Sequence, residues 1–166
     1  MARRKHKKAG LSPGSVIFTG DRKVEKVHIH YIEYNEKELK EIQVDNQKLS
    51  NLYHPDGTRI QWYDFRGLHD TELIEEVGRL FNVHPLILED VVDTQQRAKF
   101  EEYTGGNFVT LRSLAFNSRT RKVSTEQVAL YFGEGFLLSF QEDVTDLFVD
   151  LADEHCVRHG DVVSAR

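Results

Sequence analysis

The 166-residue sequence has one cysteine and no long apolar run, and each absence excludes a class of structure. Because a disulfide needs two cysteines, Cys156 forms no internal disulfide bond, which fits a reducing compartment. Glu134 interrupts the longest apolar stretch, VALYFGEGFLLSF, well before the roughly 18 residues that a membrane-spanning helix requires. The basic start, MARRKHKKAG, lacks the apolar segment of a secretory signal peptide. The sequence therefore predicts a soluble chain.

Charge is unevenly distributed along the chain, whose net value is −5. Residues 1–10 hold five basic residues and no acidic one, so the remaining residues carry −10. A body this acidic repels phosphate, which excludes general nucleic-acid binding, and it attracts cations. A basic segment of this kind could bind RNA or an anionic membrane surface, but we expect residues 1–10 to form a disordered, solvated basic tail.

Apolar periodicity predicts a mixed set of strands and helices with hairpins late in the chain. This mixture predicts an α/β (mixed α+β) sandwich with a mixed sheet. The polar residues 35–52 predict short helical turns, HPDG at 54–57 predicts a turn, and Asn82 can end a helix in a left-handed conformation. The predicted strands are 15–19, 24–34, 59–65, 107–116, 125–133 and 134–142, and the predicted helices are 71–82, 85–93 and 144–160.

The stretch VHPLILEDVVD at 83–93 places several carboxylates on one short helix. On a helical wheel, Glu89, Asp90 and Asp93 lie opposite an apolar stripe. One interpretation is a solvated face in which Asp93 pairs with Arg97 four residues on. The other is a site for a hard divalent cation such as Mg2+, because Glu89 and Asp90 have no basic residue three or four positions away. A single helix offers too few ligands, so a second surface would have to complete such a site.

The segment HPLILEDVVDTQQRAKFEEY at 84–103 resembles the characteristic soluble segment of the CorA family of divalent-metal channels. Members of that family read close to HPLxLEDxxxxxQRPKxExY, and Ala98 stands here where proline is usual. The flanking stretches WYDFRGLHDTELIEEVGRLFNV and TEQVALYFGEGFLLSFQEDVTDLFVDL are also similar to the family. The resemblance covers roughly residues 11–160.

This resemblance implies an α/β/α sandwich with a central mixed parallel/antiparallel sheet over residues 11–160. It implies a regulatory domain on the cytoplasmic face of the inner membrane, not an enzyme, in a homopentamer that binds Mg2+ between subunits and gates its own transmembrane pore. The regulatory aspartate of the family matches Asp90, and its acidic neighbour matches Glu89. The bound ion is expected to be Mg2+, with Co2+, Ni2+ or Zn2+ as alternatives.

The resemblance also implies that part of the transporter is missing from this chain. The pore motif of the family, Gly-Met-Asn, cannot occur because Met1 is the only methionine. We therefore expect a fragment in which residues 161–166 lead towards an absent stalk helix. Since the family's partner carboxylates lie on that stalk, we expect weak metal binding and a monomer or loose oligomer.

Three alternatives remain open from the sequence. The chain could be the cytoplasmic domain of a ZntB-like zinc transporter, and His155 and His159 beside Cys156 are candidate zinc ligands. It could be a stand-alone regulatory domain. Paired carboxylates could also perform acid–base catalysis, although the sequence has no glycine-rich phosphate loop and no nucleophile motif.

Overall fold

The structure is a computed structural model that describes Gly10 and residues 12–44, 49–53 and 57–144. Five predicted features lie wholly or almost wholly outside these ranges. They are the basic tail, most of the 54–57 turn, the helix at 144–160, the two candidate histidines and residues 161–166. Neither α-helix in the described ranges has the length and hydropathy that a bilayer span requires.

Seven strands form a single mixed sheet in the order β2-β1-β3-β7-β6-β5-β4. Every neighbouring pair is antiparallel except β3 and β7, which run parallel. The mixed sheet confirms the predicted fold class, and the late hairpins occur as expected. The strands are β1 (His28–Tyr34), β2 (Leu39–Val44), β3 (Ile60–Arg66), β4 (Lys99–Tyr103), β5 (Gly106–Asn117), β6 (Lys122–Gly133) and β7 (Phe136–Gln141).

Two helices, α1 (Thr71–Leu80) and α2 (Pro85–Val92), pack against one face of this sheet. The side chain of Asp70 caps α1 by accepting a hydrogen bond from the backbone N–H of Leu73 at 3.1 Å. Asn82 has a φ of 51°, the left-handed conformation that was predicted to end the helix. Proline then occupies the start of α2, where its missing N–H costs no helical hydrogen bond.

The aromatic and aliphatic core lies between the helices and the sheet. Residues that alternate along the strands supply the sheet side, because successive side chains of a strand point to opposite faces. A 3-10 turn at Leu49–Asn51 closes one edge of this core. The most deeply buried members are Tyr31, Leu49, Tyr63, Phe65, Ile74, Val77, Ile87, Val91, Val92, Phe108, Ala129, Tyr131, Leu138 and Phe140.

Two predictions about local structure are wrong. Residues 15–19 form no strand, and the backbone N–H of Thr19 instead donates to the carbonyl of Val92 at 3.1 Å. Residues 39–44 form β2 where helical turns were predicted. Asn35 serves the β1–β2 hairpin, where its side-chain oxygen accepts hydrogen bonds from two backbone N–H groups, each at 2.8 Å.

Candidate functional site

Helix α2 presents Glu89 and Asp90 at the surface as its sequence pattern predicts. Its apolar stripe is buried against the sheet, with Ile87 and Val91 fully inaccessible to solvent. Glu89 and Asp90 lie outside that stripe and are half-buried, with the side chain of Asp90 16% exposed. The predicted candidate ligands therefore lie on a fixed element at the edge of the solvent.

Strand β4 runs beside α2 and brings three more polar side chains to the same region. Its register pairs Lys99 with Thr110 and Glu101 with Phe108, so Lys99, Glu101 and Tyr103 share the face on which the helices pack. This strand was not predicted, because its KFEEY sequence has no apolar alternation.

The ammonium group of Lys99 bridges two carboxylates. Its Nζ lies 2.7 Å from Oδ2 of Asp90 and 2.9 Å from Oε2 of Glu101. The hydroxyl of Tyr103 donates to the same Glu101 oxygen at 3.1 Å, and the Phe108 ring centroid lies 5.6 Å from Nζ. The group combines one ammonium with two carboxylates among half-buried side chains.

The charges of this group shift one another's pKa. Burial lowers the pKa of Lys99, but hydrogen bonds and charge from Asp90 and Glu101 outweigh it, so the pKa lies above its ordinary value. The hydrogen bond from Lys99 lowers the pKa of Glu101, against the effect of burial and with help from Tyr103. Burial and the hydrogen bond to Glu101 raise the pKa of Tyr103. The pKa shifts of Lys99 and Glu101 favour a charged lysine beside an ionised Glu101, and the pKa shift of Tyr103 keeps its hydroxyl protonated as a hydrogen-bond donor.

The expectation that Asp90 is without a basic partner is therefore wrong. It rested on helical spacing, and Lys99 lies nine positions further along the chain on a different element. Only the pairing of β4 with β5 brings the lysine back to the helix.

Glu89 has a different partner. Its Oε2 accepts a hydrogen bond from the backbone N–H of Gly14 at 2.7 Å. Gly14 has a φ of 82°, and a Cβ there would lie 3.0 Å from the Cβ of Pro85, so this close approach favours glycine. The backbone around Gly14 is thereby held against Pro85, in the first turn of α2. Asp93, the third carboxylate of the helix, accepts hydrogen bonds from the side chains of Thr19 at 2.9 Å and Gln96 at 3.1 Å.

The sheet beneath α2 holds the site in place. The buried Gln127 donates from Nε2 to the backbone carbonyl of Asp90 at 3.2 Å. Thr110 donates to the carbonyl of Arg97 at 2.7 Å, and Arg112 donates to the carbonyls of Thr94 and Gln96. The link between α2 and β4 is thus fastened to β5, which restricts movement of Asp90 relative to the lysine. Sequence reasoning missed these supports, since their partners are far apart along the chain.

The described residues by themselves do not make a closed metal site. In these ranges no group of three or more His, Cys, Asp or Glu side chains is placed to hold a metal ion. Mg2+ prefers six oxygen ligands and retains several waters, so one carboxylate, or a pair of them, fits part of a coordination shell. Carboxylate oxygens are ligands that a hard cation accepts, and the described residues supply too few of them here for a complete coordination shell.

Comparison with known proteins identifies relatives of this chain. The family model described as "CorA-like Mg2+ transporter protein" matches residues 57–162. The cobalt/magnesium transport protein CorA of Thermotoga maritima is 31% identical over 141 residues, which cover 85% of this chain and 40% of that relative. This chain thus spans well under half of that relative's length.

Solved structures show the same fold. The soluble domain of CorA from Methanocaldococcus jannaschii matches with a TM-score of 0.54 at 15% identity, over 81% of this chain and 48% of that one. The full-length CmaX protein matches with a TM-score of 0.58 at 13% identity, over 82% of this chain and 40% of that one. Because the family model covers more than half of the sequence, the chain belongs to the CorA-like Mg2+ transporter family.

Proposed function

We propose that this chain is the regulatory domain of a CorA-like magnesium and cobalt transporter, and that Asp90 with Glu89 forms half of a divalent-cation site at a boundary between subunits. The observation that carries the proposal is the convergence of the Asp90 and Glu101 carboxylates on one positive group, Lys99, at the surface of α2. This convergence supports the proposal because carboxylate oxygens that pair with an ammonium group are also suitable ligands for a divalent cation. The family match and the position of Asp90 in the LED segment, residues 88–90 of the stretch that resembles the family, support the same assignment.

The incomplete donor set supports a site shared between copies. In the proposed assembly, a homopentamer on the cytoplasmic face of the membrane, carboxylates of a neighbouring subunit complete the coordination shell. A divalent cation such as Mg2+ would supply the charge that offsets repulsion between carboxylates across the boundary. Asp90 and Glu89 would hold it, and the rigid attachment of α2 to the sheet would transmit its presence to the subunit contact.

The proposed consequence is a two-state switch that acts on the transporter's own pore. At high cytoplasmic Mg2+ the closed state is favoured, and at low Mg2+ the carboxylates repel and release the boundary. The cation shifts this equilibrium only if it binds the closed state more tightly than the open one. Gating therefore depends on the acidic groups that meet at the boundary.

Replacement of Asp90 by alanine tests the proposal in the complete transporter to which this domain would belong. We expect Asp90→Ala to transport Mg2+ at cytoplasmic concentrations that close the unaltered protein, because one of the two ligands that this chain is proposed to supply is lost. Uptake into proteoliposomes loaded with increasing Mg2+ measures this inhibition.

Glu102→Ala provides the matched control. Glu102 is exposed on the opposite face of β4, so the substitution removes one negative charge from the same region without touching the site. We expect this variant to keep normal inhibition. Unchanged Mg2+ inhibition in Asp90→Ala would refute the proposal.

A further inference from the structure

We infer that Lys99 is a tethered cation that occupies the Asp90 carboxylate and sets the divalent-cation concentration at which the site fills. This inference rests on the proposed role of Asp90 as a cation ligand. It assigns to Lys99 the role of an affinity-determining residue that does not itself bind the ion.

The geometry places the lysine where it must compete. Its Nζ is 2.7 Å from the Asp90 oxygen, in direct ion-pair contact. The side chains of Asp90 and Lys99 are 16% and 29% exposed, so solvent screens the pair less than it screens a fully exposed one. A divalent cation and an ammonium group repel each other, and they cannot share that oxygen at contact distance. A cation that binds this Oδ2 must therefore displace the ammonium, and one that binds the other oxygen of Asp90 is repelled by it at close range.

The backbone of Lys99 stays in place when its side chain moves away from Asp90. Its N–H donates to the Thr110 hydroxyl at 3.1 Å, and the residue is paired with Thr110 across the β4–β5 ladder. Displacement is thus a rotation of the side chain around a fixed strand. The local concentration of the competing ammonium remains high whether or not the cation is present.

Glu101 gives the displaced ammonium a second partner. Its Oε2 lies 2.9 Å from Nζ, and the Tyr103 hydroxyl holds this carboxylate by a hydrogen bond. The lysine can therefore give up Asp90 and remain paired with Glu101, so exchange leaves no ammonium without a counter-charge. Loss of Glu101 would direct the lysine to Asp90 alone and make the cation harder to bind.

Calorimetric titration of the 166-residue chain with MgCl2, at an ionic strength held constant with NaCl, tests the inference. We expect weak binding to the unaltered chain and a dissociation constant about five- to tenfold lower for Lys99→Met, because each factor of ten corresponds to about 1.4 kcal/mol of removed competition. Lys99→Gln serves as a second variant, since its shorter polar side chain is tolerated if methionine disturbs folding. Lys99→Arg keeps the competing charge and is expected to bind as weakly as the unaltered chain.

Two further variants separate competition from a general change of charge. Lys99→Met combined with Asp90→Asn should lose the gained affinity, because the released carboxylate is gone. Glu101→Gln should weaken Mg2+ binding more than Glu102→Gln, which makes the same change of charge on the opposite face of β4. Thermal unfolding with and without MgCl2 gives an independent readout, in which the stabilisation by Mg2+ is larger for Lys99→Met.

The inference is overturned if Lys99→Met and Lys99→Gln bind Mg2+ no more tightly than the unaltered chain. It is also overturned if the gain persists in the Asp90→Asn background. Tighter, Asp90-dependent binding together with normal inhibition of the Asp90→Ala transporter would refute the gating proposal and leave the role of Lys99 intact. If Asp90→Ala altered the Mg2+ inhibition of the transporter but Lys99→Met bound Mg2+ no more tightly, the gating proposal would stand and the inference about Lys99 would be refuted.

Discussion

The contact of α1 with α2 at Gly78 leads to a prediction whose sign can be reversed by a second substitution. Gly78 is buried within α1, and a Cβ at this position would lie 2.3 Å from Cδ1 of Leu88 and 3.3 Å from its Cδ2 and Cγ. Two non-bonded carbon atoms do not approach to 2.3 Å, so either Leu88 or the helix backbone would have to move. Leu88 is itself buried, at 6% exposure, so its side chain has little room to move. The missing methyl group of Gly78 is what lets α2, and with it Asp90, lie close to α1.

Two opposed effects decide the stability of Gly78→Ala. Alanine favours a helix interior over glycine by about 1 kcal/mol. Overpacking of a filled core costs about 1–3 kcal/mol, and a distance of 2.3 Å places the cost near the middle of that range. We therefore expect a net loss of about 1 kcal/mol in the free energy of unfolding.

The sign reverses once Leu88 is shortened. In a Leu88→Ala background the atoms that collide with the new methyl group are absent, so only the helix propensity remains and Gly78→Ala stabilises by about 1 kcal/mol. The coupling between the two sites is then about 2 kcal/mol, within the range seen for residues in contact. Leu88→Ala alone costs about 2–5 kcal/mol, which a domain of ordinary stability can survive.

Urea denaturation of the unaltered chain, Gly78→Ala, Leu88→Ala and the double variant, monitored by circular dichroism, measures this coupling. Arg79→Ala is the control, because this neighbouring residue of α1 is exposed and its loss should change stability by no more than about 0.5 kcal/mol. If Gly78→Ala stabilised the unaltered chain and the Leu88→Ala chain equally, the steric explanation of this glycine would be refuted.

Two other substitutions probe charge and backbone conformation. Burial raises the pKa of Glu142, with Lys23 and the backbone N–H of Asp21 acting against it, so the native state keeps its proton to higher pH than the unfolded state and stability falls as pH rises between the two values. Glu142→Gln should accordingly unfold at a higher urea concentration than the unaltered chain at neutral pH, and at the same urea concentration below about pH 4. A difference in stability that does not depend on pH would contradict this reasoning. Asn82→Ala should cost about 1 kcal/mol, because alanine is strained at a φ of 51°, whereas Asn82→Gly should stay within about 0.5 kcal/mol; equal losses in thermal unfolding would argue against backbone strain.

The elements that sequence reasoning missed or misassigned share a physical cause. Strands β2 and β4 are the two edges of the sheet, and an edge strand is paired on one side only. Their sequences, LKEIQV and KFEEY, bury few side chains and carry little apolar alternation, so no periodic signal announces them. Residues 15–19 show the converse, since Val16 and Phe18 pack against the core without any pairing to a strand. Apolar pattern reports burial, which does not require membership of the sheet.

The central elements were predictable because their patterns follow from burial on a repeating geometry. The apolar stripe of α2 and the proline at its start place Glu89 and Asp90 on the outer side of that helix in any fold that buries the stripe. The sequence alone therefore determined which acidic groups lie outside the buried stripe of α2 and, through the sequence of residues 84–103, which family the chain resembles.

Only the tertiary structure decided what those acidic groups meet. Asp90 is paired with Lys99 because the β4–β5 ladder returns the chain to α2, and Glu89 is bonded to Gly14 because the N-terminal segment crosses the start of the helix. Ion pairs and hydrogen bonds act over a few ångströms of space, and separation along the chain does not specify such distances until the backbone is folded.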